Sequence, residues 1–377
     1  MAQSICLAHA ENIGLESGGT VRVVGLSKSL ANYGYDIHLV APKPKNPDRI
    51  PDGLSDVTLH FVPIKARSVF DQFPRALLVS RKAKQVVDKH DALLQIERGT
   101  LAGVATLLGC SDYVVDLHDI GFDGPLYQNL PLSNPIQKFV YKMEKRGVEE
   151  ASKVISVSDA MAKYVETEWG VHENSSFIVH NGVRSKVFNF NNPNTSEEDG
   201  MVAFIGSINY NIDYEKFIHL AQSIDGIDLH VIGDGYKRKE LEEEVNRRDL
   251  PNIHVHGFLP DGKAYTILRR SQVCVFPLMD THHTRVAQHM KGFDYGALGK
   301  AIATDRDGTA GILEENDAAL VSDTGTPNEL ISNVRRLLSD DSLRAELGAN
   351  AKELAEEFIW EAQGEALASV YDGPVSS

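Results

Sequence analysis

Short apolar runs alternate with longer amphipathic stretches along most of the chain, and polar, turn-rich segments separate them. This alternation predicts an α/β fold, in which helices cover both faces of parallel sheets. Between the first two strand-like runs, Val23, Leu26 and Leu30 recur at helical spacing, which completes a βαβ unit. The strands predicted in the first half are Ser4–Ala8, Ile37–Ala41, Val57–Val62, Ala92–Ile96, Tyr113–Leu117, Val154–Val157 and Ser176–Val179.

The stretch from Asn189 to Gly200 is polar and shows no periodicity, so we place a domain boundary there. Beyond it the alternation restarts, with strands predicted at Met201–Ile205, Asp228–Ile232, Ile253–His256, Val273–Phe276 and Ala301–Thr304. We therefore predict four segments: an N-terminal Rossmann-like domain (1–190), a linker (191–199), a C-terminal Rossmann-like domain (200–355) and a final helix (356–377) that packs back on the N-terminal domain.

Composition narrows the class of protein. The 377 residues include 53 acidic and 38 basic side chains, and the net charge of -15 argues against a nucleic-acid-binding protein. No apolar run reaches the roughly 18 residues of a membrane span, and the N-terminus lacks the basic region of a secretory signal. Cys6, Cys110 and Cys274 form no CxxC pair, which is typical of reduced thiols. These features predict a cytoplasmic protein.

Ligands of doubly wound sheets bind beyond the carboxyl ends of the strands, so the loops there carry the candidate chemistry. Gly18 and Gly19 precede the first predicted helix, where backbone N–H groups can approach a phosphate, although a plain tight turn also explains a glycine pair. His118 and Asp119 follow a predicted strand, where they can reach a sugar. His118 is equally compatible with a structural histidine, and Asp116, inside the strand, is expected to be structural.

Glycines also follow the first two strands of the second half, at Gly206 with Ser207 and at Gly233 to Gly235. Each loop taken singly is most simply explained as a turn. Because the carboxyl ends of parallel strands meet at one edge, the two loops together indicate a nucleotide site.

The segment MKGFDYGALGKAIATD is the most specific of the candidates. It begins a predicted helix with Lys291 and places Asp294 one turn further on. A lysine and free N–H groups can hold a diphosphate, and a carboxylate can accept both hydroxyls of a ribose. An acidic residue favoured by the helix dipole explains Asp294 alone but not the whole segment.

The pieces SGGTVRVVGLSKSLANYGYDIHLV, DLHD, VISVS, VHNGV, FIGS, VIGDG, VHGFLP, VFPL and KGFDYGALGKAIATD occur in this order over nearly the full chain. Together they resemble the retaining GT-B glycosyltransferases of the family 4 type (glycosyl transferases group 1). The resemblance implies two Rossmann-like domains facing across a cleft, with a nucleotide diphosphate sugar bound mainly by the C-terminal domain and the acceptor by the N-terminal one. It also implies retention of anomeric configuration, without an obligatory metal or other cofactor.

The resemblance also assigns roles by position. His118 resembles the histidine that contacts the transferred sugar, Asp294 the carboxylate that holds the ribose, and Lys291 the lysine of the KxFEY motif; these three are the catalytic candidates. The other donor-binding positions that it implies are Gly18, Gly19, Gly206, Ser207, Asn209, Gly233, Asp234, Phe258, Leu259 and Arg285.

Three departures from the family pattern stand out. Val286 occupies the position of the carboxylate expected near the donor sugar, and Ser207 and Asn209 replace the usual Arg and Lys. Arg285 and the motif lysine then become the candidates for meeting phosphate charge. Asp294 is one methylene shorter than the customary Glu. These gaps leave open a catalytically weak or inactive member.

Two further segments suggest other partners. His282, His283 and His289 lie in an irregular sequence without regular ligand spacing, so a metal site is disfavoured and none is predicted. Residues 65–84 combine Lys and Arg with apolar side chains, a pattern compatible with peripheral contact with an anionic membrane and equally with a solvated helix face above core aromatics. The basic residues in this segment are Lys65, Arg67, Arg75, Arg81, Lys82 and Lys84.

The function predicted from the sequence is therefore metal-independent, hexosyltransferase-like transfer from a nucleotide diphosphate sugar to a sugar or lipid-linked acceptor, in glycan, polysaccharide or glycolipid assembly. Two alternatives remain open at this point. One is a GT-B nucleotide-sugar epimerase or phosphorylase, and the other is a non-catalytic nucleotide-sugar-binding subunit.

Overall fold

The computed structural model describes residues 3–14, 17–44, 50–64, 71–122, 133–190, 195–323 and 325–372. The chain forms two compact units. The first comprises Met1–Gly182, Val286–Gln288 and Trp360–Ser377, and the second comprises Val183–Arg285 and His289–Ile359. The sequence placed the first boundary at residue 190; the first unit ends eight residues earlier, and the predicted linker belongs to the second unit.

The first unit is built on a sheet of seven strands in the order β3-β2-β1-β4-β5-β6-β7, and each neighbouring pair is parallel. The strands are β1 Ser4–Ala8, β2 Asp36–Pro42, β3 Val57–Val62, β4 Leu93–Glu97, β5 Tyr113–Leu117, β6 Lys153–Ser156 and β7 Ser176–Ile178. The helices between them are α1 Gly18–Asn32, α2 Gln72–His90, α3 Gly99–Leu107, α4 Ser133–Glu149 and α5 Asp159–Trp169.

The second unit repeats this plan with six parallel strands in the order β10-β9-β8-β11-β12-β13. The strands are β8 Met201–Ile205, β9 Asp228–Ile232, β10 Ile253–Gly257, β11 Val273–Phe276, β12 Ala301–Asp305 and β13 Leu320–Ser322. The helices are α6 Ser185–Phe188, α7 Tyr214–Ser223, α8 Arg238–Arg247, α9 Asp261–Arg270, α10 His282–Val286, α11 Lys291–Ala297, α12 Ala310–Glu315, α13 Pro327–Ser339 and α14 Asp341–Glu357. The predicted α/β class with two Rossmann-like parallel sheets is confirmed.

Local sequence explains where the helices near the candidate loops begin. The hydroxyl of Ser17 accepts a hydrogen bond from the backbone N–H of Thr20 and caps α1, and Ser158 caps α5 in the same way. Gly170 ends α5 in the left-handed conformation that glycine adopts without strain. Both caps stand directly after sheet strands or their loops, so they fix the direction in which each helix leaves the sheet.

The last helix, α15 Trp360–Asp372, belongs to the first unit and packs on α1. A Cβ atom at Gly25 would lie 2.3 Å from the Trp360 ring, so only glycine lets the ring rest on the α1 backbone. The hydroxyl of Ser29 donates to the Trp360 carbonyl at 2.8 Å, and Lys153 donates to the Val370 carbonyl at 2.5 Å. Within the residues that the structure describes, no helix combines the length and apolar character needed to cross a membrane.

Candidate functional site

The order of the first sheet makes the boundary between β1 and β4 its switch point, because the chain winds outward from there in both directions. Ligands of such sheets bind beyond the carboxyl ends of these central strands. Ionisable residues at or just beyond the ends of β1, β4 and the neighbouring β5 form one connected cluster, which includes Glu11, Glu97, Arg98, His118 and Asp119.

The structure brings two of the predicted residues, Gly19 and His118, into direct contact. A Cβ atom at position 19 would lie only 2.7 Å from Nε2 of His118, so the imidazole packs on the bare backbone of α1. A Cβ atom at Gly18 would meet nothing within 4 Å. Glycine at position 19 therefore lets the backbone of α1 approach the imidazole of His118 closely, whereas Gly18 faces open space.

Arg98 is the centre of the cluster, and the sequence interpretation missed it. Its Nε donates to Nε2 of His118 at 3.0 Å, while its terminal nitrogens lie 2.9 Å from carboxylate oxygens of Glu11 and Asp119. Arg98 has a φ of 77°, an uncommon conformation for a residue other than glycine and one that occurs at functional sites. In the sequence, Arg98 is marked only by its position, as a charged residue directly after the central strand β4.

Charges within this cluster shift the neighbouring pKa values. The Arg98 guanidinium lowers the pKa of Glu11 to about 2, and burial lowers the pKa of His9 to about 3. Burial alone would lower the pKa of Arg98, but the carboxylates of Asp119 and Glu11 raise it. Arg98 and Glu11 are therefore charged and His9 is neutral at pH 7.

His118 is held on its other side by a buried carboxylate. Oε2 of Glu97 lies 3.4 Å from Nδ1 of His118, and the two side chains are 1% and 6% exposed. Glu97 in turn accepts a hydrogen bond from the amide of Gln95, whose oxygen accepts one from the Tyr371 hydroxyl. Carboxylate and guanidinium thus flank the imidazole; Arg98 holds it by a hydrogen bond, whereas Oε2 of Glu97 and Nδ1 of His118 face each other without one.

Asp116, which we expected to be structural, forms a buried ion pair with Arg22. Both side chains are inaccessible to solvent, and the guanidinium donates to both carboxylate oxygens at 2.8–3.1 Å. Its remaining N–H groups donate to the carbonyls of Val179 and His180 and to the side chain of Asn181. Burial raises the pKa of Asp116 to about 6 against the opposing effect of Arg22.

A second buried carboxylate, Glu144, shapes the loop that follows His118. It accepts hydrogen bonds from the backbone N–H groups of Gly121 and Phe122 at 2.9 and 3.1 Å and from the Thr100 hydroxyl at 2.7 Å. Burial raises the pKa of Glu144 to about 7 despite these donors.

In the second unit, the glycine loops after β8 and β9 pack backbone against backbone. Gly233 has a φ of 137°, and a Cβ atom there would lie 1.8 Å from the Gly206 carbonyl oxygen. Gly235, with a φ of 155°, would meet the Ile208 carbonyl oxygen at 2.4 Å. Only glycine permits this approach, so the two predicted loops do meet at the carboxyl edge.

The polar residues of these loops hold each other and the backbone. Asn209 accepts a hydrogen bond from the backbone N–H of Tyr236 at 3.1 Å, and Asp234 accepts one from the N–H of Gly235 at 2.8 Å. Ser207 and Asp234 are exposed. Asn209 thus joins the two loops, a contact that spacing along the chain does not reveal.

The loop after β10 adds an exposed aromatic ring and an unexpected arginine. Phe258 is 70% exposed, and Leu259 is partly buried against the core. Gly257 has a φ of 67°, and a Cβ atom there would lie 2.7 Å from the Arg238 guanidinium. Arg238 lies 3.6 Å from Asp234, so it is a cation beside these loops that the sequence interpretation missed.

Lys291 and Asp294 lie one turn apart in α11, and their charged groups contact each other at 3.1 Å. The Asp294 side chain is 8% exposed and that of Lys291 is 23% exposed. The Tyr295 hydroxyl accepts a hydrogen bond from the backbone N–H of Ile205 at 3.1 Å, which ties α11 to the end of β8. The two catalytic candidates of this unit therefore lie on a helix joined to the first glycine loop.

The residues just before α11 have partners of their own. Arg285 forms a two-pronged ion pair with Asp280 at 2.6 and 2.9 Å, so its charge is matched locally. Val286 is buried in the apolar core of the first unit, consistent with the absence of a carboxylate at this position. His283 contacts Asn211, and His289 lies 3.0 Å from Asp307, so these two histidines have separate partners.

The basic segment is described only from residue 71 onward, and Lys65 and Arg67 lie outside the described residues. The part that is described forms α2, which carries Phe73. The Phe73 ring lies 5.8 Å from that of Phe139 on α4, and both residues are at least 42% exposed. Lys84 donates to the carbonyls of Leu108 and Gly109.

Family models match almost the whole chain. The model described as Glycosyltransferase Family 4 covers residues 17–186, and the one described as Glycosyl transferases group 1 covers residues 185–354. The chain belongs to the GT-B glycosyltransferases of the family 4 type. The boundary between the two matches lies close to the start of the second unit at Val183.

Curated relatives and solved structures agree with this assignment. The chain is 25% identical over 231 residues to an uncharacterized glycosyltransferase of Methanocaldococcus jannaschii, covering 60% of this chain and 61% of that one. It is 26% identical over 172 residues to the lipopolysaccharide core biosynthesis glycosyltransferase LpsD of Rhizobium meliloti, covering 43% of this chain and 46% of that one. The alignments therefore span less than two thirds of either relative.

Solved structures match over nearly the full length. A sucrose-phosphate synthase from Thermosynechococcus elongatus superposes with a TM-score of 0.83 at 16% identity, covering 99% of this chain and 98% of that one. Anabaena HepE in complex with UDP-glucose superposes with a TM-score of 0.72 at 15% identity, covering 99% and 100%. At these identities the similarity shows the GT-B fold of the chain.

Proposed function

We propose that this glycosyltransferase moves a hexosyl unit, with retention, from a nucleotide diphosphate donor to an acceptor hydroxyl in glycan, polysaccharide or glycolipid assembly. The observation that carries the proposal is the meeting of the Gly206 and Gly233 loops beside the helix that bears Lys291 and Asp294. HepE was solved with UDP-glucose, and LpsD is named for lipopolysaccharide core biosynthesis. Both names support a nucleotide-sugar donor and a glycan acceptor for this chain.

In this proposal the second unit holds the donor. Asp294 accepts hydrogen bonds from the ribose hydroxyls, and a diphosphate competes with it for the Lys291 ammonium at 3.1 Å. The ammonium and the backbone N–H groups of the glycine loops then stabilise the charge that grows on the leaving diphosphate. With these positive groups the reaction requires no obligatory metal.

In this proposal His118 contacts the transferred sugar, and the first unit binds the acceptor. The imidazole ring is fixed by Arg98 at 3.0 Å, by Glu97 at 3.4 Å and by the backbone of Gly19. Because both ring nitrogens face protein groups, a sugar hydroxyl would take the place of Arg98 at Nε2, while Glu97 and Gly19 keep the ring in position for it. We propose Arg98 and Glu97 as positioning residues for His118.

The test begins with nucleoside diphosphates in a thermal-shift screen, because a ligand that binds only the native state raises the melting temperature. With the best ligand, calorimetry should show Asp294→Asn weakening binding by about 1.5–3 kcal/mol, the value of a charge-assisted hydrogen bond. Lys291→Ala should reduce turnover more than it weakens ground-state binding. Lys239→Ala, which removes an exposed ion pair of α8, is the matched control.

Several outcomes would contradict the proposal. Equal nucleotide affinity of wild type and Asp294→Asn would remove the ribose role, and unchanged turnover in Lys291→Ala would remove the role at the diphosphate. Conversion of the nucleotide sugar without acceptor, or dependence on inorganic phosphate, would indicate an epimerase or phosphorylase. Nucleotide binding without turnover over a broad panel of donors and acceptors would indicate a binding subunit.

We also propose peripheral contact with an anionic membrane through α2. Two exposed aromatic rings, Phe73 and Phe139, lie side by side, and Arg81 and Lys82 follow on the same helix as Phe73. Aromatic side chains insert at the level of the lipid headgroups, and each nearby cation adds about 1 kcal/mol of attraction to an anionic leaflet. Such contact suits a lipid-linked acceptor.

A further inference from the structure

Four ionisable side chains line one face of β9 and β10 in the second unit. Asp228 and His230 lie two residues apart on β9, and His254 and His256 lie two apart on β10, with His254 directly opposite His230. Nε2 of His230 is 3.0 Å from one oxygen of Asp228, and Nε2 of His254 is 2.6 Å from the other. Nδ1 of His230 is 2.9 Å from Nε2 of His256.

The first unit contains a near copy of this line on β2 and β3. Nε2 of His38 is 3.1 Å from Asp36, and Nδ1 of His38 is 3.0 Å from Nε2 of His60. The position opposite His38, which corresponds to His254, is Thr58. The Asp–His–His arrangement therefore occurs once in each unit. The second unit adds His254 on the neighbouring strand, whereas the first unit has Thr58 at the corresponding position.

The chemistry of the second-unit line is that of a transition-metal site. Carboxylate oxygen and imidazole nitrogen are ligands of Zn²⁺, at bond lengths of about 2.0–2.2 Å. The ligand atoms of Asp228, His230 and His254 all lie within 4.8 Å of one another, which a single ion can bridge with small side-chain shifts. We propose that Asp228, His230 and His254 bind a divalent transition metal such as Zn²⁺, with water in the fourth position.

The fourth residue supplies the outer contact that such sites use. When Nε2 of His230 binds the metal, its proton must sit on Nδ1, which then donates to Nε2 of His256. A metal-bound histidine commonly donates its other N–H in this way, and the contact fixes the tautomer and the ring. His256 is therefore a positioning residue of the proposed site.

Neighbouring charges favour the second unit over the first. The charged neighbours of His256 belong to its own cluster, and among them Asp228 supplies a carboxylate. In the first unit, the ammonium groups of Lys82 and Lys89 act electrostatically on His60. Two ammonium groups oppose the approach of a cation, although His90 adds a candidate ligand there.

The site lies away from the loops proposed to bind the donor. Asp228 is the first residue of β9, and the glycine loop with Gly233 follows the last, so the metal would bind toward the opposite end of this strand. A metal there joins an edge strand to its neighbour. It therefore stabilises the second unit and takes no part in sugar transfer, and this inference stands independently of the proposed donor site.

The test is titration of the full chain with ZnCl₂, after chelation and without a histidine tag. Calorimetry should show one site per chain, and stoichiometric zinc should raise the melting temperature. His254→Thr copies Thr58 of the first unit, and it should weaken zinc binding at least 10-fold; His256→Gln should weaken it about 10- to 100-fold. His90→Gln, a change in the first-unit cluster, is the matched control and should leave the affinity unchanged.

Because His254 is 42% exposed, His254→Thr should fold, and its melting temperature without zinc checks this. Absorption of the Co²⁺-loaded chain gives a second readout, since a tetrahedral site has a visible spectrum that Asp228→Asn should abolish. Absence of zinc binding by the wild type would overturn the proposal. Full zinc affinity in His254→Thr, or loss of affinity in His90→Gln, would overturn it equally.

Discussion

A single methyl group can test the arrangement around His118. In Gly19→Ala the new Cβ would lie 2.7 Å from Nε2 of His118, about 0.7 Å inside an ordinary contact, whereas in Gly18→Ala it would meet nothing within 4 Å. The two variants add the same group at consecutive positions of α1. Their difference therefore isolates the contact with the imidazole.

The effect on stability follows from two opposing contributions. Alanine in place of glycine at a compatible position stabilises a protein by about 0.4–1 kcal/mol, which is the expectation for Gly18→Ala. Gly19→Ala adds an overpacking penalty of about 1–3 kcal/mol, because His118 is buried and Arg98 and Glu97 hold its ring. Urea unfolding should show the second variant less stable than the first by about that penalty.

The effect on turnover should be larger. A reacting group misplaced by about 1 Å can cost a factor of about 100, so we expect Gly19→Ala to lower kcat about 10- to 100-fold. The affinity for a nucleoside diphosphate should change less than kcat, because the ribose and diphosphate contacts proposed for Asp294 and Lys291 lie in the second unit. In a His118→Ala background the extra destabilisation by Gly19→Ala should vanish.

Two results would refute this reasoning. Equal stability of the two glycine variants would mean that the imidazole does not pack on α1 as closely as described. A penalty that persists in the His118→Ala background would assign the clash to another neighbour, of which Arg98 at 3.5 Å is the nearest.

Two other predictions concern the first unit. Burial lowers the pKa of His9 from 6.5 to about 3, so between these pH values only the unfolded state takes up the proton and the free energy of unfolding falls as the pH falls. His9→Gln should make this fall less steep by on the order of 1 kcal/mol per pH unit. Urea unfolding of both proteins over this pH range checks it, and parallel profiles would contradict it. Charge reversal at Arg81 and Lys82 should abolish cosedimentation with anionic vesicles, as should raising the salt concentration; wild-type binding that ignores anionic lipid would leave α2 a solvated helix.

The alternation of apolar runs with amphipathic stretches was a good guide to the fold, because central strands such as β5 and β11 are buried on both faces and read as nearly continuous apolar runs. The predicted strand Ser4–Ala8 has the same bounds in the structure, as does Met201–Ile205. The short edge strand β13 Leu320–Ser322 was missed, since three residues carry no periodic signal. The glycine loops were found because close backbone approach requires glycine, a demand that is visible in the residue type itself.

The partners of the site residues could not be predicted in the same way. Arg98 lies 20 residues from His118, and Arg22 lies 94 from Asp116, and spacing along the chain does not reveal which strand ends become neighbours. The winding order of the sheet decides this, and it places β4 beside both β1 and β5. The Lys291–Asp294 contact, by contrast, follows from helical spacing of three residues, so it could be inferred once the helix was predicted.

Two of the sequence motifs that carried the family resemblance, VHNGV and VFPL, lie in loops that a buried ion pair holds. Arg22 pairs with Asp116 and donates to the carbonyls of Val179 and His180, within VHNGV.

In the second unit, Lys216 pairs with Asp305 at 2.8 Å and donates to the carbonyl of Leu278, within VFPL. Asp305 also accepts the backbone N–H of Leu278 at 2.7 Å. A buried pair contributes little net stability, since desolvation offsets its attraction, but loss of one partner leaves a costly buried charge. Each pair therefore acts mainly by holding one loop at the carboxyl edge of its sheet in a single conformation. A mobile loop at that edge would lower both the affinity for a ligand and the rate of the reaction.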